Sequence, residues 1–384
     1  MISKIKQALT IKDIRKKLLF TFFMIIVFRL GTTIPVPGID TSVIKSMVEK
    51  NSLLGLYNMF SGGAFSNFTI FALGIGPYIT ASIIIQLLTA GFESLKELQK
   101  SGEEGKKKIN KYTRMTTLGL AIIQAIGITL GIVRSALKVN NPFFIFTVII
   151  TLVAASMMVM WLGDRITEKG LGNGSSVLIF VGIISRLPID IGAIAQRVSI
   201  GLLKWPAITI FVVVVLFTIT GVTFINESTR KIPVQYAKRV VGRKMYGGES
   251  SHIPMKVNQS GVMPIIFASS ILALPQTIAL LGGSKMQAAV NAFFNLSTDK
   301  GFWTYRIIEI VLIVLFSYFY NTISFNTEDI TKNMKNSGGF IPGIRPGKPT
   351  EKYLGGILSK LTIVGAAFLG LMAMIPALIT HYMQ

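Results

Sequence analysis

The residues able to do chemistry are few and scattered in this 384-residue chain. Cysteine is absent, which removes disulfides, thiolate metal sites and cysteine nucleophiles. The two histidines, His252 and His381, leave little room for a histidine metal centre or for acid–base chemistry. No Gly-Lys-Ser/Thr loop is present to cradle a nucleotide phosphate. The acidic residues lie mostly beside cations in polar segments. Glu309 is an exception, and Arg306, three residues earlier on the same helical face, is its expected partner. No catalytic constellation, metal site or cofactor is therefore expected, and energy for any work must come from a partner. The chemistry that remains is recognition by cations. Arg239, Arg243, Lys244 and Arg345 project from long segments dense in glycine and proline. Arg345 sits in PGIRPG, where Pro342, Gly343, Pro346 and Gly347 fix the backbone and present the side chain at a tip. A rigid tip lowers the ordering entropy that binding must overcome, which suits recognition better than a generic charge.

The elements around these residues are apolar blocks. Apolar residues make up 51% of the chain and charged residues 15%, against roughly 25% charge in a soluble domain. The formal charge of +22 would suit nucleic acid, but lysine and arginine lie almost wholly between the apolar blocks. Those blocks have the length of about 20 residues that spans a bilayer. The expected fold is an all-α polytopic membrane protein of nine transmembrane helices, over 18–34, 76–91, 116–133, 142–162, 175–194, 205–225, 261–281, 303–325 and 356–380. The basic N-terminal segment leads into the first block with no small-residue cleavage pattern, so it is expected to be retained.

Alternate connecting segments (1–17, 92–113, 163–174, 226–258 and 326–354) hold 26 lysines and arginines, and the opposite set holds 9. The positive-inside rule then puts the N-terminus in the cytoplasm. The segments 226–258 and 326–354 are too long for simple connections. They read either as functional loops or as inert tethers, and their Gly–Pro punctuation favours specified turns.

One segment on the opposite side breaks the pattern. Residues 57–73, YNMFSGGAFSNFTIFAL, are apolar but interrupted by Ser61, Gly62 and Gly63. A half-helix that re-enters the membrane fits better than a water-exposed loop, with an amphipathic interfacial helix as the alternative. Irregular backbone at that depth must be buried in protein or line a cavity. Gln86, inside the second block, needs a partner or water because a polar amide within a span is costly.

Four stretches carry a family resemblance. FSGGAFSNFTIFALGIGPYITASIIIQLL (60–88), ITEKGLGNGSS (166–176), the run from RKIPVQYAKRVVGRK to VMPIIFASS (230–270) and GGFIPGIRPGKPTEKYL (338–354) resemble the SecY family, in order along the chain. The resemblance implies a SecY-like inverted-repeat channel bundle. Its halves would be 1–204 (spans 1–5) and 205–384 (spans 6–9), with the family's tenth helix missing after Gln384.

It also implies roles. The pore ring of apolar side chains would be Ile79, Ile83, Ile179 and Ile266. Ile79 and Ile83, four apart, share a helix face, and a narrow apolar collar can resist ions by dewetting. The plug would be 61–71, including Ser61, Gly62, Gly63, Phe65 and Phe68. The lateral gate would involve Gln86 with Ser269 and Ser270 as polar neighbours. Arg239, Arg243, Lys244 and Arg345 would dock the motor ATPase SecA or the ribosome, since arginine pairs bidentately with carboxylate or rRNA phosphate.

The further partners implied are the small membrane subunits SecE and SecG, signal sequences, unfolded secretory proteins and the lipid bilayer. The implied function is a protein-conducting channel of the cytoplasmic membrane. Two rivals fare worse. A secondary transporter would carry buried polar or charged coupling residues near the midplane, and these spans have almost none. An intramembrane enzyme would need catalytic residues.

Overall fold

The structure is a computed structural model that describes residues 10–50, 55, 58, 61–137, 141–201, 205–236, 239–241, 244–246, 250–281, 286, 289–290, 293–294 and 298–382. The apolar blocks become helices. In chain order these are α1 (Lys12–Gly31), α2 (Thr41–Lys50), α3 (Gly76–Gly91), α4 (Glu93–Lys100) and α5 (Glu103–Gly131). They continue with α6 (Pro142–Lys169), α7 (Gly174–Ile184), α8 (Leu187–Ser199) and α9 (Trp205–Glu227). The last four are α10 (Met263–Leu281), α11 (Asp299–Ser324), α12 (Thr327–Asn336) and α13 (Lys348–Tyr382).

Their starts follow local chemistry. Asn141 accepts a hydrogen bond from the Phe143 N–H ahead of Pro142 at the start of α6. Asn173 caps α7 through the Ser176 N–H, and Asn326 caps α12 through the N–H groups of Glu328 and Asp329. Each satisfies donors that a helix N-terminus leaves without an internal partner.

The protein is a multi-pass, all-α membrane protein. Among the described residues, six helical stretches are long and apolar enough to cross a membrane: Glu103–Gly131, Pro142–Lys169, Gly174–Ser199, Ile208–Glu227, Asp299–Asn336 and Lys348–Ile379. Taking α3 and α4 together gives a seventh. The count falls below the expected nine for physical reasons. Helix α1 carries Arg15, Lys16 and Lys17 early and Arg29 late, and α3 has 16 residues.

The segment 92–113 is no loop. The chain bends by 101° after α3 into the charged helix α4, and α5 begins at Glu103.

The chain divides into two compact units, Met1–Leu202 with Ser270–Gly301, and Leu203–Ser269 with Phe302–Gln384. In the first, Ile44, Phe65, Phe68, Leu73, Ala125, Val133 and Leu152 form a buried core. In the second, the segments 226–258 and 326–354 fold on each other instead of standing as separate loops. Strand β1 (Thr229–Tyr236) pairs antiparallel with β4 (Ser250–Lys256) from Thr229↔Lys256 to Gln235↔Ser250. Its other edge meets β5 (Gly339–Phe340) through Gln235↔Phe340 and Tyr236↔Gly339. A separate hairpin joins β2 (Arg239–Val241) to β3 (Lys244–Tyr246). Ile232, Val234, Met255, Met334, Ile341, Leu354 and Ile357 pack beneath the three-stranded sheet. The periodicity of β1, with Ile232 and Val234 buried and their neighbours exposed, is that of a strand with one wet face.

Candidate functional site

The interrupted segment before α3 is held by contacts from several elements of the first unit. It is not the half-helix expected from its apolar content. Residues 61–75 run as successive tight turns. Backbone hydrogen bonds of turn type link Ala64 to Ser61, Phe68 to Phe65, Ala72 to Thr69 and Gly74 to Phe71. Gly62 and Gly63 take φ of +67° and +86°, in the left-handed region that favours glycine. Phe68 adopts φ of +41°, a position bulky residues rarely hold. Its side chain is fully buried, and its carbonyl accepts from the Val36 N–H at 2.9 Å.

Neighbouring elements grip this segment on several sides. The Ile70 N–H donates to the Ile34 carbonyl at 3.0 Å, and Phe71 stacks on Phe28 of α1 with ring centroids 5.9 Å apart. Phe65 meets Phe68 edge-on at 6.5 Å. A Cβ placed on Gly62 would lie 2.9 Å from the Gly182 Cα of α7, so the turn and the helix touch backbone to backbone. Buried Asn58 ties off the start. Its Oδ1 accepts from the Ser66 N–H at 2.9 Å, and its carbonyl accepts from the Gly63 N–H and from the Ser61 hydroxyl. Reading the sequence passed over Asn58 and Gly182. An amide just ahead of a glycine pair, and a lone glycine inside an apolar helix, were the available signals.

Helix α3 leaves this segment with Ile79 half-buried and Ile83 buried four residues on, on the same face one turn further along. Ile179 is buried on α7, in the same unit. Ile266 is buried on α10, in the other unit. The amide nitrogen of Gln86 donates to the Ser82 hydroxyl at 3.1 Å, so it finds its partner one turn back on its own helix. The Ser269 hydroxyl donates to the Ile265 carbonyl at 2.8 Å, and Ser270 is half-buried next to it. Beside Ile266, Phe267 packs edge-on against Phe316 at 5.7 Å, anchoring α10 on α11.

Of the cations expected in the long polar segments, Arg345 is exposed between Gly343 and Gly347, whose φ angles are +79° and +100°. Arg239 opens β2 and Lys244 opens β3, while Arg243 lies outside the described residues. Arg306 and Glu309 do form the expected ion pair, both largely buried, with the guanidinium over the rings of Phe302 and Tyr305.

The ITEKGLGNGSS connection is tight as well. Thr167 accepts from the Gly174 N–H at 2.8 Å, and Gly174 approaches Gly163 too closely for any side chain.

The family model for SecY matches residues 69–384. The chain is 44% identical over 369 residues to the protein translocase subunit SecY of Synechocystis, across 94% of this chain and 84% of that one. Against the subunit of the same name from Escherichia coli K12 it is 42% identical over 380 residues, across 97% and 86%. In fold it is similar to a solved protein-conducting channel, with a TM-score of 0.72 at 19% identity over 94% of this chain and 86% of that one. It is also similar to a SecY structure whose plug domain stabilises the closed state and maintains a membrane seal, with a TM-score of 0.69 at 18% identity over 94% and 86%. The chain belongs to the SecY family.

Proposed function

We propose that the chain is the channel subunit of a protein translocase, which passes unfolded secretory proteins across the cytoplasmic membrane and releases apolar segments sideways into lipid. It is a channel and not an enzyme. The observation that carries the reading is the SecY family match over 69–384, which takes in α3, α7, α10 and the docking segments together.

Within that reading, Ile79, Ile83, Ile179 and Ile266 form the pore ring, and 61–71 is the plug. The seat made by Asn58, Phe28 and Gly182 supports the plug role, because a closed seal needs a segment held by several neighbours at once. Gln86, Ser269 and Ser270 belong to the lateral gate. Arg239, Arg243, Lys244 and Arg345 receive SecA or the ribosome, and SecE and SecG complete the membrane complex. The chain crosses the membrane nine times from a cytoplasmic N-terminus, as two halves, 1–204 and 205–384.

The test places a photo-crosslinking amino acid at Ile83 or Ile179 and stalls a secretory nascent chain in the complex. Adducts are expected from both positions and not from Phe217, an exposed apolar residue of α9. Equal crosslinking at Ile83 and Phe217 would overturn the channel path.

A further inference from the structure

A cavity of about 810 Å³ opens beside the turn segment in the first unit. Its lining includes Arg29 from α1, Lys45 from α2 and Arg186 from the junction of α7 and α8, and no carboxylate. We propose that this cavity binds a phosphate-class anion, either free or as the headgroup of an anionic phospholipid, held by Arg29, Arg186 and Lys45.

The charges are undercompensated. Arg29 is half-buried near the end of α1, and its Nη1 donates to a neutral acceptor, the Ser185 hydroxyl, at 2.8 Å. Among the described residues no carboxylate pairs with it. A cation within a span is normally paired, because leaving water without a counter-charge is costly. Arg186 meets Asp190 only at 3.7 Å, and that carboxylate's side chain is 55% exposed, so most of the guanidinium's donors stay available. Lys45 is exposed and adds a third charge.

Two guanidinium forks suit the oxygens of a phosphate, which accept bidentate pairs, and a lysine adds a point charge. Asn67 on the turn segment contributes an uncharged donor. The volume lies within the roughly 300–1,000 Å³ of ordinary ligand sites and exceeds what inorganic phosphate fills, which leaves room for a headgroup. An anion held there touches α1, α2, the α7–α8 junction and the turn segment, and so favours the seated turn segment. That consequence rests on the plug reading, whereas the binding itself does not.

The experiment is a binding measurement on the full chain in its membrane complex. Inorganic phosphate is titrated calorimetrically into complex held in an uncharged detergent. Phosphatidylglycerol retention is read by native mass spectrometry from nanodiscs of phosphatidylcholine with and without it. Saturable phosphate binding assigns a free anion, and retained phosphatidylglycerol alone assigns a headgroup. Arg29→Gln and Arg186→Gln should each weaken the observed ligand about tenfold, the loss of one charge-assisted contact. Lys45→Gln, at an exposed position that folding does not need, should weaken it severalfold. Failure of both ligands to bind the parent chain, or variants that match it, would remove the site. Because no transport is read, a failed crosslink at Ile83 would sink the channel reading and leave this site standing.

Discussion

The hydroxyl of Thr350 donates a 2.8 Å hydrogen bond to the backbone carbonyl of Arg345. Thr350 is fully buried, so an exposed arginine is tied through its own backbone to the first turn of α13. The N–H groups of Thr350 and Glu351 both return to the Gly347 carbonyl and close the other side of the tip. Replacing Arg345 by Glu should weaken SecA or ribosome binding at least tenfold, since charge-assisted hydrogen bonds contribute about 1.5–3 kcal/mol. Lysine should rescue in part, having lost the planar fork. Thr350→Val keeps the arginine and loosens the tip, so an intermediate defect is expected. Binding to purified variants, beside an export assay, decides it. Normal affinity for the glutamate variant would reduce Arg345 to one more inside charge.

Gly62 carries the second prediction. An alanine there combines a φ of +67° with a Cβ 2.9 Å from the Gly182 backbone. Left-handed backbone costs a non-glycine residue roughly 1–2 kcal/mol, and overpacking adds about as much again. A loss of at least about 2 kcal/mol from the seated state is at least about a thirtyfold shift toward the unseated one. The reconstituted Gly62→Ala channel should therefore leak ions at rest while still exporting protein. Resting conductance equal to the parent would mean that 61–71 does not form the seal.

Orientation is tested with single cysteines in this naturally cysteine-free chain. Ser251→Cys on β4 and Ser337→Cys after α12, both exposed, should resist a membrane-impermeant thiol reagent in intact cells. Ser199→Cys, exposed at the end of α8, should react. The reverse pattern would invert the topology argued from 26 inside and 9 outside cations.

What could be read from the sequence depended on the range of the interactions. Block length and charge asymmetry are local properties, so the membrane class and the long helices were legible without a structure. The pairing of Arg306 with Glu309 was legible for the same reason, being three residues apart on one helix. The seat of the turn segment was not. It depends on Phe28 meeting Phe71 and on Gly62 meeting Gly182, contacts between residues far apart in sequence. Turns built on glycine and an apolar half-helix also share one composition, so the half-helix expected within 57–73 is a run of turns over 61–73. Gln86 was expected to need a partner or water, and its amide nitrogen donates to the Ser82 hydroxyl one turn back on the same helix.

The junction of the two polar segments yields the last prediction. Tyr236 pairs with Gly339 in the sheet, and a Cβ on Gly339 would lie 2.9 Å from the Tyr236 ring and 3.0 Å from Met334 Cγ. Gly339 therefore acts as the close-approach point at which β5 joins β1, because only a residue without a side chain lets strand, tyrosine and α12 meet there. Gly339→Val overpacks that contact and should cost about 1–3 kcal/mol locally. The β1–β5 pairing should open and loosen the segment that leads from β5 to Arg345, while α9, α11 and α13 remain intact. Hydrogen exchange should report loss of protection at Tyr236 and Phe340 with the spans unchanged. Partner binding should fall in parallel, although Arg239, Arg243, Lys244 and Arg345 are all still present. If β1–β5 protection is lost and binding stays normal, each segment acts alone and the joined body has no part in docking.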